Sequence, residues 1–82
     1  MDEQYKNEIL TNTLEGRRKE ITEYQVNIDN FTLAIEEIGD DPLMQDFKAH
    51  LQKLLTENQA EQRKCQILYN VVDRQLNGGS WF

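Results

Sequence analysis

The feature that constrains this chain most is a heptad pattern of apolar residues that is interrupted once, at Gly39-Asp40-Asp41-Pro42. Before the interruption, the pattern advances in alternating steps of four and three residues. These steps run through Leu10, Leu14, Arg17, Ile21, Tyr24, Ile28, Phe31, Ile35 and Ile38. A stripe with this period packs against another helix, so we predict a first helix over about residues 3–38.

A second stripe with the same period follows the interruption. It runs through Met44, Phe47, Leu51, Leu54, Asn58, Glu61, Cys65, Leu68, Val72 and Gln75. Glycine suits the position just past a helix, aspartate suits an N-cap, and proline suits a first helical turn, so residues 39–42 predict a tight turn. Because a turn this short makes its helices antiparallel, we predict a second helix over about residues 43–76.

The two matched arms predict an all-α fold in which residues 1–76 form an antiparallel two-helix coiled-coil hairpin. Folding the chain at the turn brings Ile38 to Met44 and pairs the remaining seam residues in the same register. The predicted hairpin core consists of Leu10, Leu14, Ile21, Tyr24, Ile28, Phe31, Ile35, Ile38, Met44, Phe47, Leu51, Leu54, Cys65, Leu68 and Val72.

The middle of this seam is polar, at Arg17, Asn58 and Glu61. The predicted register brings Arg17 opposite Cys65 and Tyr24 opposite Asn58. A lone buried charge is costly, so Arg17 and Glu61 are expected to pair with each other or to reach water. Two interpretations stay open for this polar mid-seam: a pin that fixes the register, which we favour, and a ligand site.

The start of the first helix has two readings. Asn12 and Glu15 have the spacing of a capping box, and Gly16 weakens a helix interior, so the helix could begin or kink here. Because Leu10 keeps the heptad phase with Leu14, we favour a continuous helix from about residue 3.

Some apolar residues lie off the predicted seam and repeat every seven residues. They are Val26 and Leu33 on the first helix and Leu55, Tyr69 and Leu76 on the second. Residues that repeat in this way on a second face describe a second interface. We therefore predict a homo-oligomer, with a dimer of hairpins in a four-helix bundle as the favoured form.

Residues 77–82, with the sequence NGGSWF, are predicted to form a flexible tail with an aromatic end. Aromatic side chains carry much apolar area at little entropic cost, so Trp81 and Phe82 are expected to anchor the tail. The favoured anchor site is the open end of the bundle, over Leu76, Val72 and Leu10. The alternative is a docking peptide for another protein.

Composition and spacing argue against several classes of function. The chain has 82 residues and a net charge of −6, which disfavours binding to nucleic acid and to anionic lipid. The only histidine, His50, lies about 22 Å from Cys65 along one helix, so the two cannot form a catalytic pair. We predict no enzyme activity, catalytic residue, metal or cofactor.

Location and charge distribution follow from the same composition. No apolar run is long enough to cross a membrane, and a lone thiol without an apolar leader predicts a cytoplasmic protein. The hairpin tip is acidic, since residues 29–46 include several Asp and Glu residues and no lysine or arginine. A basic band of Arg17, Arg18 and Lys19 lies across from Arg63 and Lys64.

In overall character the chain resembles the small acidic helical accessory proteins of tailed bacteriophages, among them coiled-coil assembly chaperones and inhibitors of host defence. The resemblance covers the two heptad arms, Leu10 to Ile38 and Met44 to Val72, and assigns no site residue. It implies a scaffold or assembly factor that acts through protein–protein contacts in the host cytoplasm. The alternative is a small inhibitor that sequesters a host protein or an anionic ligand.

Overall fold

The computed structural model describes residues 2–78, which form two long helices packed side by side. Helix α1 spans Glu3–Ile38 and helix α2 spans Gln45–Leu76. No β-strand occurs among these residues, so the predicted all-α helical hairpin is confirmed. The molecule is a rod of 61 × 24 × 14 Å. The predicted tail anchors Trp81 and Phe82 lie outside the described residues.

Helix α1 begins at a side-chain cap and continues without a break. Asp2 occupies the N-cap position, and its Oδ1 atom accepts a hydrogen bond of 3.0 Å from the backbone N–H of Gln4. This bond satisfies one of the free donors at the start of the helix. The alternative start at Asn12 and Glu15 is not used, and Gly16 lies inside the helix.

The turn is longer than predicted and is closed by its own hydrogen bonds. Gly39 ends α1 with a positive φ of 53°, and its N–H bonds to the carbonyl of Ile35. Asp41 does not cap α2. Its Oδ1 atom accepts from the N–H of Leu43 at 3.0 Å, and its carbonyl accepts from the N–H of Met44 at 3.1 Å. Since Asp41 is used inside the turn, α2 begins at Gln45 rather than at residue 43.

The first turn of α2 is tied back to the end of α1. Lys48 Nζ donates a hydrogen bond of 2.8 Å to the carbonyl of Gly39, and Gln45 Nε2 donates one of 2.7 Å to the carbonyl of Asp41. A cation is favourable near the carbonyl end of a helix, because the helix dipole is negative there. Lys48 therefore stabilises the end of α1 while its stem packs against the hairpin.

The core is narrow and lies along the line where the two helices meet. Its buried residues are Ile28, Leu51, Cys65 and Val72, each with 6–8% of its surface still exposed. On α1 the remaining residues of the predicted stripe are half-buried. They are Leu10, Leu14, Arg17, Ile21, Tyr24, Phe31, Ile35 and Ile38. The stripe predicted for α1 is thus the side that faces α2.

Helix α2 faces α1 with a different combination of rows than the one predicted. The row of Leu51, Asn58, Cys65 and Val72 faces α1, but the second row consists of Lys48, Leu55, Gln62, Tyr69 and Leu76, all half-buried. The predicted core residues Met44, Phe47 and Leu68 are instead exposed by 41%, 51% and 44%, Glu61 is exposed, and Leu54 is half-buried. Apolar residues occur in both candidate rows, at Leu54-Leu55 and Leu68-Tyr69, so periodicity alone does not distinguish them.

Hydrogen bonds between the helices show that the register also differs from the prediction. Cys65 bonds to Glu20 rather than lying opposite Arg17, and Asn58 bonds to Asn27 rather than lying opposite Tyr24. In both cases the partner on α1 lies three residues further along the chain. The longer turn accounts for most of this shift, because it moves the start of α2 along α1.

Candidate functional site

The charged residues of the mid-seam pair within their own helices. Arg17 bonds to Glu20 at 3.1 Å, and Lys64 bonds to Glu61 at 2.8 Å, each one helical turn away. The predicted pairing of Arg17 with Glu61 across the hairpin therefore does not form. All four side chains are substantially exposed, and such pairs stabilise a helix by at most about 0.5 kcal/mol.

Amide side chains form three of the polar contacts between the helices. Gln62 Nε2 donates to the carbonyl of Ile21 at 3.2 Å and to Oε1 of Gln25 at 2.8 Å. Asn27 Nδ2 donates to Oδ1 of Asn58 at 3.4 Å. Over residues 2–78, no buried side-chain nitrogen or oxygen lacks a partner. Polar groups satisfied across a helix pair favour one alignment over its neighbours, which is the behaviour of a register pin.

Cys65 lies at the centre of the helix contact, where its Sγ atom donates to Oε2 of Glu20 at 3.4 Å. Burial and, second, the hydrogen bond and charge of Glu20 raise the pKa of this thiol above its ordinary value. A thiol is nucleophilic only as the thiolate, so these surroundings keep Cys65 in its unreactive form. The position is that of a small core residue.

Tyr69, which we predicted in an oligomer interface, instead contacts α1. Arg18 Nη2 donates to the Tyr69 hydroxyl at 3.1 Å, and Arg18 Cζ lies 5.8 Å from the centroid of the ring. The hydrogen bond to Tyr69 is the main cause that raises the pKa of Arg18. Leu55 and Leu76 belong to the same half-buried row as Tyr69.

The predicted oligomer interface is therefore divided between two places. Val26 and Leu33 are exposed on α1, by 53% and 62%, whereas Leu55, Tyr69 and Leu76 lie along the contact between the helices. The five residues do not form one surface.

A largely apolar row of α2 that the sequence predicts inside the hairpin instead lies at its edge, partly exposed. We call it the α2 stripe: Phe47, Leu54, Glu61 and Leu68, which share one side of the helix because they are seven residues apart. Phe47 and Leu68 are 51% and 44% exposed. The seven-residue spacing is visible in the sequence, but there it predicts the inside of the hairpin.

The rest of the described surface offers few features that suggest a binding site. Residues 2–78 contain no group of three or more His, Cys, Asp or Glu side chains that could hold a metal ion. No described helix is long and apolar enough to cross a membrane. An open concavity on α1 is lined by amides, a hydroxyl and a carboxylate, from Gln4, Asn7, Glu8, Thr11 and Asn12.

We compared the chain with models of protein families, with curated proteins and with solved structures, and none of these comparisons found a significant match. The resemblance to bacteriophage accessory proteins stays a prediction from the two heptad arms. The contacts and exposed faces of the hairpin are thus the observations from which a function can be inferred.

Proposed function

We propose that this protein acts through protein–protein contacts rather than by catalysis, as a homo-oligomeric scaffold or assembly factor built from helical hairpins. The observation that supports this function is the imbalance between buried and exposed apolar side chains. Only Ile28, Leu51, Cys65 and Val72 are buried among the described residues. Nine large hydrophobic residues are exposed: Tyr5, Ile9, Val26, Leu33, Leu43, Met44, Phe47, Ile67 and Leu68.

A lone hairpin of this size has a small apolar core, and small domains commonly add oligomerisation to reach adequate stability. Two hairpins that pack in a four-helix bundle would cover apolar residues such as Phe47 and Leu68, which one hairpin leaves exposed. Each apolar side chain moved out of water contributes about 25 cal/mol per Å² of buried area. The dimer is therefore the favoured oligomer.

The 61 Å rod offers long helical faces, which suit an assembly factor that holds other proteins in place. The polar mid-seam and basic band favour this role over an inhibitor that binds a small anionic ligand. Arg17 and Lys64 bond to carboxylates of their own helices, and Arg18 bonds to Tyr69. An anion bound by Arg17, Arg18 or Lys64 would have to replace these contacts. If the chain is phage-encoded, the scaffold would work in the host cytoplasm.

Sedimentation velocity at tens of micromolar tests the proposal, with a species of twice the chain mass as the expected result. The same protein, tagged and returned to a lysate of its native host, should keep that oligomeric state. A stable monomer would contradict the scaffold. Capture of one stoichiometric host protein at the expense of the oligomer would support the inhibitor instead.

A further inference from the structure

We infer that the α2 stripe is covered by a second copy of this chain in the antiparallel orientation, so that the tip of each hairpin lies beside the open end of the other. This inference rests on the proposed self-association and adds the face and the orientation. Here the tip is the turn of residues 39–44 with the adjoining helix ends, and the open end is where α1 begins and α2 finishes.

The hairpin has two open sides, and hydrogen bonds between the helices identify which side carries the α2 stripe. Leu54 precedes Asn58 by four residues and Leu68 follows Cys65 by three, so the stripe borders the row of Asn58 and Cys65. Asn58 and Cys65 bond to Asn27 and Glu20 of α1. The stripe therefore lies on the side of the hairpin where these two bonds occur.

The opposite side of the hairpin is polar. There Gln62 bonds to Gln25, and Tyr69 bonds to Arg18. The α2 row that borders Gln62 and Tyr69 on this side consists of Gln52, Gln59, Gln66 and Asp73. Of the two α2 rows that border the helix contact, only the stripe carries large exposed apolar side chains, Phe47 and Leu68, so the stripe is the face that a second copy covers.

The stripe side has an apolar patch near each end and a charged centre. Near the tip, Phe47 and Leu54 lie on α2, and near the open end Leu68 is followed one turn later by half-buried Val71. Between the patches, Glu61 pairs with Lys64. An antiparallel overlay about the middle of the stripe brings Phe47 of each copy to Leu68 of the other and Leu54 of each copy to Glu61 of the other. The apolar contact between the copies is therefore made by the two Phe47–Leu68 pairs.

Charge decides between the antiparallel and parallel orientations, since both would cover the patches. The chain carries acidic residues and neither lysine nor arginine from Asp29 to Asp46. The nearest ammonium, on Lys48, is turned inward to the carbonyl of Gly39 at 2.8 Å. The acidic residues of the tip are Asp29, Glu36, Glu37, Asp40, Asp41 and Asp46.

A parallel dimer would bring two such tips together, and juxtaposed like charges disfavour an interface. An antiparallel dimer separates the tips by much of the 61 Å rod, far beyond the screening length of about 8 Å at physiological salt. The side of the hairpin measures 61 by 24 Å, which leaves room for the roughly 800 Å² per partner that a standard interface buries.

Distance measurements between spin labels test the orientation. In a Cys65→Ser background, one label is attached at Asp46→Cys and, in a second variant, at Asn70→Cys. Both positions are exposed and lie off the stripe. Antiparallel packing about the middle of the stripe places the two labels of either dimer about 35 Å apart, at 1.5 Å per helical residue. Parallel packing places each pair within about 20 Å, given a helix diameter of roughly 10–12 Å and the label arms.

Matched substitutions test the face. Phe47→Ser and Leu68→Ser should each raise the dimer dissociation constant at least tenfold, whereas Gln59→Ser on the polar side and Leu33→Ser on the outer side of α1 should leave it within about twofold. Circular dichroism should show unchanged helicity in all four variants, because none of these residues is buried.

Each possible result has a distinct meaning. A wild-type monomer would overturn the inference together with the proposed self-association. A dimer with short label distances would overturn the antiparallel orientation and leave the scaffold standing. A dimer that is lost with Leu33→Ser but kept with Phe47→Ser would overturn the choice of face.

Discussion

The thiol of Cys65 donates a hydrogen bond to the carboxylate of Glu20, with 3.4 Å between the sulfur and Oε2. This contact joins the two helices at the middle of the hairpin and involves the only cysteine of the chain. The carboxylate accepts from the thiol and also pairs with Arg17 through its other oxygen. Loss of the thiol proton would turn a hydrogen bond into a contact between two anions.

The first prediction concerns the alkaline limit of stability. The pKa of the Cys65 thiol is raised above its ordinary value of 9.0, first by burial and then by Glu20, so the folded chain binds this proton more tightly than the unfolded chain. The resulting stabilisation is complete below about pH 9 and is lost as the pH rises through the folded pKa. Urea unfolding between pH 7 and pH 10.5 should show a steeper alkaline decline for wild type than for Cys65→Ala.

Lysine and tyrosine side chains also titrate in this range, but they are common to both proteins, so the difference between the two slopes reports Cys65. Equal slopes would mean that the folded and unfolded chains hold the thiol proton equally well.

The second prediction uses two glycines as a matched pair. Gly16 lies in the interior of α1, and a Cβ atom added there would meet nothing within 4 Å. Gly16→Ala should therefore raise the free energy of unfolding by about 1 kcal/mol, the difference in helix propensity. Gly39 has φ 53° and ψ −125°, a conformation that favours glycine, so Gly39→Ala should lower stability by about 1–3 kcal/mol. Thermal unfolding of the two variants should show shifts of opposite sign.

The third prediction tests which row of α2 faces α1. Tyr69 is half-buried and bonds to Arg18, whereas Ile67, two residues earlier, is 49% exposed. Tyr69→Ala should lower the free energy of unfolding by about 1–2 kcal/mol, since it removes part of a buried ring. Ile67→Ala should change it by less than about 0.5 kcal/mol. Tyr69→Phe separates the contributions, because it keeps the ring and loses only the hydroxyl. An equal effect of the Tyr69→Ala and Ile67→Ala variants would place Tyr69 outside the hairpin contact.

The sequence predicts which side of a helix faces its partner where only one row of that helix is apolar. Where two adjacent rows are apolar, it does not distinguish them. On α1 each step of four or three residues leads to one stripe, and that stripe faces α2. Gly39 likewise ends α1 as predicted, because few other residues tolerate its backbone conformation. On α2 the adjacent pairs Leu54-Leu55 and Leu68-Tyr69 make two rows equally apolar. The choice between them depends on contacts across the hairpin.

The alignment of α2 along α1 was not predictable from the sequence for a related reason. It depends on the length of the turn, on Asp41 bonding within that turn, and on amide bonds such as that between Gln62 and Gln25. None of these contacts has a periodic signal in the sequence. The α2 stripe was not predicted as a surface for the same reason, because its heptad spacing predicts the inside of the hairpin.

The last prediction asks whether Gln62 contributes stability or alignment. Its Nε2 atom bonds to Oε1 of Gln25 at 2.8 Å and to the carbonyl of Ile21 at 3.2 Å, within an otherwise largely apolar row of α2. Gln62→Leu replaces these bonds with apolar contact, which in coiled coils raises stability and reduces the preference for one register. We expect an unchanged or higher melting temperature, together with more amide resonances than residues in a ¹H–¹⁵N spectrum, as the helices exchange between alignments.

Gln59→Leu is the matched control, because it makes the same change on an exposed position of the polar side. It should keep one resonance per residue. If Gln62→Leu instead lowers the melting temperature and keeps a single set of resonances, the amide bonds stabilise the hairpin without selecting its register. The alignment would then be set by the turn, where Asp41 and Lys48 hold the end of α1 against the start of α2.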